Sequence, residues 1–210
     1  MTSDWNFPEH IAEHYKSHKQ LIIARLAEYA AVKREDYFYE LCYCLCTPQS
    51  KAVNAFQVQQ KLMEIDFYNK PFIPIEILED KQHYIRFHKQ KAMRIYNSVE
   101  LFPKVLQILD ENTDAKQKRN EISKIIPGIG LKEASHFLRN IGFRGLAILD
   151  RHILKHLVSC GVYDEIPKIN PLKNYISVEN KLQEFADYLS VDIDELDLIF
   201  WSYETKTVLK

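Results

Sequence analysis

Residues Ile122–Leu157 read ISKIIPGIGLKEASHFLRNIGFRGLAILDRHILKHL, and this stretch decides the fold. One helix runs into Ile126-Pro127-Gly128-Ile129-Gly130, and a second is predicted to open at Leu131-Lys132-Glu133-Ala134. Proline ends the first helix, and the glycines are expected to take backbone angles closed to other residues. Having no side chains, they also leave the turn open to approach. Ala134 is small enough to let the two helices pack closely. A helical hairpin is therefore predicted over about 116–141, with the pattern hPGhGxxxA.

A phosphate can approach such a turn at the backbone N–H groups that open the second helix, helped by the helix dipole. This is the helix-hairpin-helix pattern, a grip on the DNA backbone that ignores base sequence. Its plain alternative is an ordinary turn between two helices. Pro127, Gly128 and Gly130 are thus candidate DNA contacts. Lys132, two residues past Gly130, and Asp150, 18 residues further on, add groups able to react. Each has a plain reading too: Lys132 as one more exposed helix lysine, Asp150 as the N-cap of a helix over 151–160. Their joint placement behind a hairpin favours the chemical reading. His152 and His156 stand at i, i+4, a spacing that could hold zinc. No third ligand is visible nearby in sequence, so contact with the DNA backbone, or a plain helix surface, is expected instead.

The rest of the chain agrees with an all-α fold. Only five glycines occur in 210 residues, and four of them lie between 128 and 145. Apolar spacing predicts helices at 8–31, 36–46, 49–66, 86–99, 101–112, 115–125, 131–141, 150–160, 174–189 and 193–203. Hydrophobic residues make up 46% and charged residues 27%. That supports a sizeable core, in one domain or two small lobes. No run of 18 apolar residues is present, so no membrane span is expected. Met1–His10 carries Asp4 and Glu9 and no apolar run, unlike a signal peptide. A cytoplasmic location, or a nuclear one in a eukaryote, is expected. Cys42, Cys44, Cys46 and Cys160 match neither a zinc nor an iron–sulfur spacing, so buried free thiols are expected.

The net charge of -1 looks wrong for a DNA-binding protein, but its distribution is uneven. Residues 1–80 hold 8 basic and 12 acidic groups, 81–159 hold 15 and 7, and 160–210 hold 5 and 10. A basic middle third can present one positive face to a polyanion.

The hairpin, Lys132 and Asp150 together resemble the helix-hairpin-helix DNA glycosylase superfamily. Its bifunctional members carry a lysine at the hairpin and a catalytic aspartate after a loop rich in Gly and Pro. The loop here, Gly142-Phe143-Arg144-Gly145-Leu146-Ala147, departs from that pattern in lacking proline. Only Cys160 lies beyond the hairpin, so the four-cysteine cluster of the endonuclease III branch is missing. The run Lys132–Gly142, the loop Thr47-Pro48-Gln49-Ser50, the segment Arg86-Phe87-His88, Trp201 and the final Lys210 resemble the type 2 8-oxoguanine DNA glycosylases.

That resemblance implies an all-α glycosylase/lyase unit spanning 1–210, made of two helical lobes with its active site in the cleft between them. It also implies a bifunctional glycosylase and lyase, monomeric, acting on double-stranded DNA that contains oxidised guanine. Lys132 would attack C1′ and form a Schiff base, after which the 3′ phosphate leaves by β-elimination. Burial and an adjacent helix N-terminus would both favour its neutral amine. Asp150 would stabilise positive charge developing on the sugar. Phe87 and Trp201 would sandwich the flipped base, Lys210 would read its edge, and Gln49 would fill the gap left in the duplex. No cofactor and no metal are expected for the chemistry, although sodium or potassium could bridge hairpin carbonyls and a phosphate. The competing readings are a glycosylase of the same superfamily for another damaged base, and a non-catalytic module that only grips DNA.

Overall fold

The computed structural model describes residues 5–208. All regular structure among them is helical: α1 (Glu9–Ala30), a 3-10 turn at Arg34–Asp36, α2 (Tyr37–Cys46), α3 (Ala52–Glu64), α4 (Ile75–Glu79), α5 (His88–Asp110), α6 (Ala115–Ile125), α7 (Leu131–Asn140), α8 (Arg151–Ser159), α9 (Leu172–Leu189) and α10 (Ile193–Thr205). They fall into two compact units, one of residues 5–30 with 142–208, the other of 31–141. No helix among the described residues is long and apolar enough to cross a membrane.

The 31–141 unit is built around α2. Its sequence YFYELCYCLC is apolar on every side, so it has to be central, and every residue from Phe38 to Cys46 is buried. Helices α3, α5 and α7 pack against it. The three alternate cysteines are free, buried thiols, as is Cys160 in the other unit. Burial pushes the Cys46 thiol up to about 12, far from a reactive thiolate. The one carboxylate on α2 is tied rather than stranded. Gln59 Nε2 donates to Glu40 Oε1 at 2.8 Å and Asn140 Nδ2 donates to Glu40 Oε2 at 3.1 Å, linking α3 and α7 through α2. Helix α6 opens on Asp114, whose side chain accepts from the Gln117 N–H.

Three features of this unit differ from the sequence expectation. The two helices predicted at 86–99 and 101–112 are one, α5, with Pro103 inside it. Proline in a helix interior costs about 3 kcal/mol. Here its ring is exposed, and Ile95, Phe102, Val105, Ile108 and Leu109 are buried on the opposite side. Burial of each such side chain contributes roughly 1.5–3 kcal/mol, which outweighs the break. Helix α3 starts at Ala52 rather than 49, because Thr47–Ser50 form a turn. The short α4 had no periodic signal, being only five residues long.

In the other unit α1 packs along α10, which also contacts α8 and α9. Ile22, Leu26 and Tyr29 form the buried stripe of α1 at helical spacing. Phe7, Phe185 and Phe200 meet with centroids 6.3–6.4 Å apart in tilted and edge-on contacts. Aspartates start two of the helices: Asp150 caps α8 and Asp192 caps α10.

Candidate active site

The hairpin of α6 and α7 is a shallow turn held by two anchors. Ile126 and Ile129 are buried, while Pro127, Gly128 and Gly130 are exposed. The Ile129 N–H donates to the Ile126 carbonyl at 3.1 Å and closes the turn. The glycines are not equivalent, contrary to expectation. Gly128 has φ +93°, which demands glycine, and a Cβ there would meet Arg94 Cδ at 2.6 Å. Gly130 has φ −90° and ψ −174°, an extended conformation open to any residue. Space is open beside Gly130: its N–H donates to Glu133 Oε2 at 3.2 Å, and apart from its chain neighbours that oxygen alone lies within 4 Å of where a Cβ would sit.

Lys132 stands in the first turn of α7, its side chain 26% exposed and its Nζ 3.7 Å from Glu133 Oε1. The amine is therefore partly sheltered, reachable from solvent, and beside a helix N-terminus. The Arg94 side chain of α5 occupies the space beside the hairpin glycine, its Cδ, Nε and Nη1 lying 2.6–2.8 Å from where a Gly128 Cβ would sit. No sequence signal marked it, because α5 is remote from the hairpin in the chain.

Gln49 and Phe87 both lie in this unit, and both have positive φ, 56° and 60°. For residues with a Cβ that conformation costs about 1–2 kcal/mol each, and such residues cluster at functional sites. Gln49 lies in a turn rather than at the start of the helix predicted from 49, and Phe87 is 49% exposed, with the Arg86 guanidinium 5.0 Å from its ring centroid. The two turns are stitched together. Ser50 Oγ accepts from the Arg86 N–H at 3.0 Å and from Lys91 Nζ at 3.2 Å. Lys91 Nζ also donates to the carbonyls of Cys46 and Pro48 at 2.7 and 2.6 Å. Burial lowers the Lys91 ammonium to about 8, while the neighbouring Cys46 and Glu133 act to raise it and Arg94 to lower it. Lys91 escaped the sequence reading, since a lysine on a helix is expected in solvent.

Asp150 lies in the other unit. Its Oδ1 accepts from the N–H groups of His152 and Ile153 at 2.8 and 2.9 Å, so it is the N-cap of α8. Oδ2 makes no hydrogen bond among the described residues. Capping and chemistry are thus compatible: one oxygen holds the helix and the other is available. The loop leading to it is pinned by buried polar groups. Gly145 N–H donates to Asp194 at 2.9 Å, Ala147 N–H to Glu179 at 3.1 Å, and the Tyr175 hydroxyl to the Ala147 carbonyl at 2.7 Å. Gly142 has φ +94°, and a Cβ there would sit 2.9 Å from Ala30 Cα, so this glycine permits close approach of the loop to α1. These hydrogen bonds restrict the loop backbone without proline.

His152 and His156 do find a third group. Glu204 Oε2 is 3.5 Å from His152 Nδ1, and Glu204 Oε1 is 3.1 Å from His156 Nε2. Glu204 lies 48 positions beyond His156 in the chain, so only folding brings it beside the pair. Even so, no group of three or more His, Cys, Asp or Glu arranged to hold a metal occurs among the described residues. His156 is buried and stacked on Phe200 at 4.5 Å, whereas His152 is partly exposed beside Arg151. Trp201, on α10 in the same unit, is half-buried. Lys210 lies outside the described residues.

The family model for 8-oxoguanine DNA glycosylase matches residues 22–191 of this chain. An 8-oxoguanine DNA glycosylase/AP lyase of Fusobacterium nucleatum is 36% identical over 207 residues, covering 93% of this chain and 94% of that protein. A protein of the same description from Methanocaldococcus jannaschii is 34% identical over 197 residues, covering 91% and 93%. Among solved structures, the Methanocaldococcus jannaschii 8-oxoguanine glycosylase/lyase in complex with a 15mer DNA containing 8-oxoguanine superposes with a TM-score of 0.83 at 33% identity, over 95% of this chain and 97% of that one. The 8-oxoguanine DNA glycosylase of Thermotoga maritima gives a TM-score of 0.83 at 29% identity, over 96% and 97%.

Proposed function

The chain belongs to the 8-oxoguanine DNA glycosylase family, and on that premise we propose that it excises 8-oxoguanine from double-stranded DNA and then cleaves the abasic strand. The observation that carries the proposal is the hairpin itself. A turn that exposes Pro127, Gly128 and Gly130, and so can approach a phosphate, stands two residues before a sheltered but reachable amine, Lys132.

In this reading the Lys132 amine, as free base, attacks C1′ and the base leaves. The C1′–O4′ bond of the resulting aminal then breaks, which opens the ring, leaves a hydroxyl at C4′ and yields a protonated Schiff base between Lys132 and the sugar. The imine acidifies the adjacent C2′ proton; its removal expels the 3′ phosphate, and hydrolysis frees the lysine. Asp150 offers its Oδ2 charge to the oxocarbenium-like transition state. Phe87 and Trp201 present incompletely covered rings for the extruded base, and Gln49 fills the vacated stack. Pro127, Gly128, Gly130 and His152 hold backbone phosphates, which positions the duplex without reading its sequence. Amine and carboxylate suffice for these steps, so we assign no cofactor to them. A sodium or potassium ion belongs to the proposal only as a bridge between turn carbonyls and a phosphate. The enzyme works as a monomer where the genome is, in the cytoplasm or, in a eukaryote, the nucleus.

The test is a panel of duplexes, each with a single different lesion, incubated with borohydride. The duplex with 8-oxoguanine should give the highest yield of covalent protein–DNA adduct, and Lys132→Gln should give none. A wild-type yield from Lys132→Gln would show that another group is the nucleophile. A better substrate among oxidised pyrimidines or alkylated purines would reassign the lesion, and binding without any adduct would make the hairpin a grip alone.

A further inference from the structure

Resting on that functional reading, we propose that Lys91 and Ser50 form a clamp that couples Gln49 to Phe87, so that filling the gap in the duplex and stacking the extruded base occur as one event. Both positioning residues lie outside the reactive groups and act through their neighbours.

The geometry is specific. Gln49 and Phe87 are 38 positions apart in sequence, and each sits in a left-handed conformation that its residue type disfavours. A conformation of that kind persists only when its surroundings over-determine it. At Gln49 the surroundings are the carbonyl of Pro48 and the hydroxyl of Ser50, the residues immediately before and after it, and both accept from Lys91 Nζ. At Phe87 they are the Arg86 N–H, which donates to the same Ser50 hydroxyl, and the Phe87 carbonyl, which accepts from the Lys91 backbone N–H at 3.0 Å. One residue, Lys91, therefore bonds to Phe87 through its backbone and to the Gln49 turn through its side chain. Ser50 closes the ring from the opposite side.

The acceptor set explains why the group is a lysine. An ammonium has three donors and no acceptor, and three oxygens surround it at 2.6–3.2 Å. Movement of the 47–50 turn breaks charge-assisted bonds to Lys91 in a buried place, and movement of the 86–87 turn breaks the Arg86 bond to the same Ser50 hydroxyl, so neither turn relaxes alone.

The experiment compares Lys91→Met, Ser50→Ala and Ser50→Thr with wild type. Hydrogen exchange of segments 47–51 and 84–88, read without DNA, reports the clamp directly. Lys91→Met and Ser50→Ala should each accelerate both segments together, and acceleration of one alone would overturn the coupling. In single-turnover kinetics both variants should slow 8-oxoguanine excision by about tenfold or more, the worth of one charge-assisted bond. Cleavage at a preformed abasic site should slow by no more than about threefold, since no base has to be extruded there. Ser50→Thr keeps the hydroxyl and should restore excision. A double-mutant cycle isolates the coupling: losses from Gln49→Ala and Phe87→Ala should be non-additive in the wild-type background and should multiply in Lys91→Met. Multiplying losses in the wild-type background, or equal loss of both activities in Ser50→Ala, would overturn the proposal. A wild-type protein that fails to excise 8-oxoguanine while both segments exchange in concert would instead remove the functional reading and leave the clamp as a structural device.

Discussion

Glu133 folds back on the hairpin it follows, its Oε2 accepting from the Gly130 N–H at 3.2 Å. This is half of a capping box, and it supports the start of α7. It also places a negative charge on an N–H that a phosphate would use. Glu133→Gln keeps an acceptor for the cap and removes the charge. Its expected effect is tighter binding of undamaged duplex at low salt, by roughly fivefold from about 1 kcal/mol of relieved repulsion, fading as salt screens it. Fluorescence anisotropy at two ionic strengths checks this, and unchanged affinity at both would show that Glu133 does not face the phosphate.

In the proposed mechanism Asp150 carries two roles on two oxygens, so its variants should separate them. Asp150→Asn retains Oδ1 for the His152 and Ile153 N–H groups. Its melting temperature should stay within a few degrees of wild type, because a kept cap forfeits well under about 1 kcal/mol. Excision should fall by about a hundredfold or more with the charge gone. Asp150→Ala should lose both. A melting temperature that collapses in Asp150→Asn while excision survives in the folded fraction would make this residue a cap only.

The hairpin glycines should respond differently to the same substitution. Gly128→Val is barred by φ +93° and by Arg94, so stability should drop by about 1–3 kcal/mol. Gly130→Val adopts its backbone without strain and needs only the flexible Glu133 carboxylate to shift. It should fold normally and weaken damaged and undamaged duplexes alike, since a phosphate contact carries no base information. Thermal melts and binding isotherms for the two variants check this, and a loss confined to lesion-containing duplex for Gly130→Val would contradict a phosphate role.

His156 predicts the acid side of the stability profile. Burial lowers its imidazole below the usual 6.5, although Glu204 opposes the shift, with Lys155 and His152 also close. The folded protein therefore binds this proton less readily than the unfolded chain does. Stability from this site is complete above pH 6.5 and declines as pH falls from 6.5 toward the lower folded value. His156→Gln, though less stable at pH 7.5, should lose less melting temperature than wild type between pH 7.5 and 5.5. Equal losses would place the acid sensitivity elsewhere.

How far the site was legible depends on how local each signal is. Pro127, Gly128, Gly130, Lys132 and Asp150 fall within 24 consecutive residues, and each is placed by the backbone next to it. A turn, a first helical turn and an N-cap are short-range structures, so they can be read in order. Phe87 and Gln49 were accessible only through resemblance, and the positive φ that sets them apart had no sequence mark. Gly130 shows the opposite failure: a glycine that looks conformational serves to leave space.

The amino-acid sequence by itself determined the helical class, the hairpin, the placement of Lys132 and Asp150, and the burial of α2, because periodicity, caps and breakers act over a few residues. It was also enough to assign the cysteines to the core. Tertiary structure alone decided that α5 runs unbroken through Pro103, where burial along the whole helix outweighs a local defect. It decided that Glu204 meets two histidines, that Glu40 is shared by α3 and α7, and that Lys91 reaches the carbonyls of Cys46 and Pro48. Those partners lie 19 to 100 positions apart for Glu40 and more than 40 for Lys91. A buried charge selects its acceptors from whatever the packed chain brings near, and only the folded unit specifies which oxygens those are.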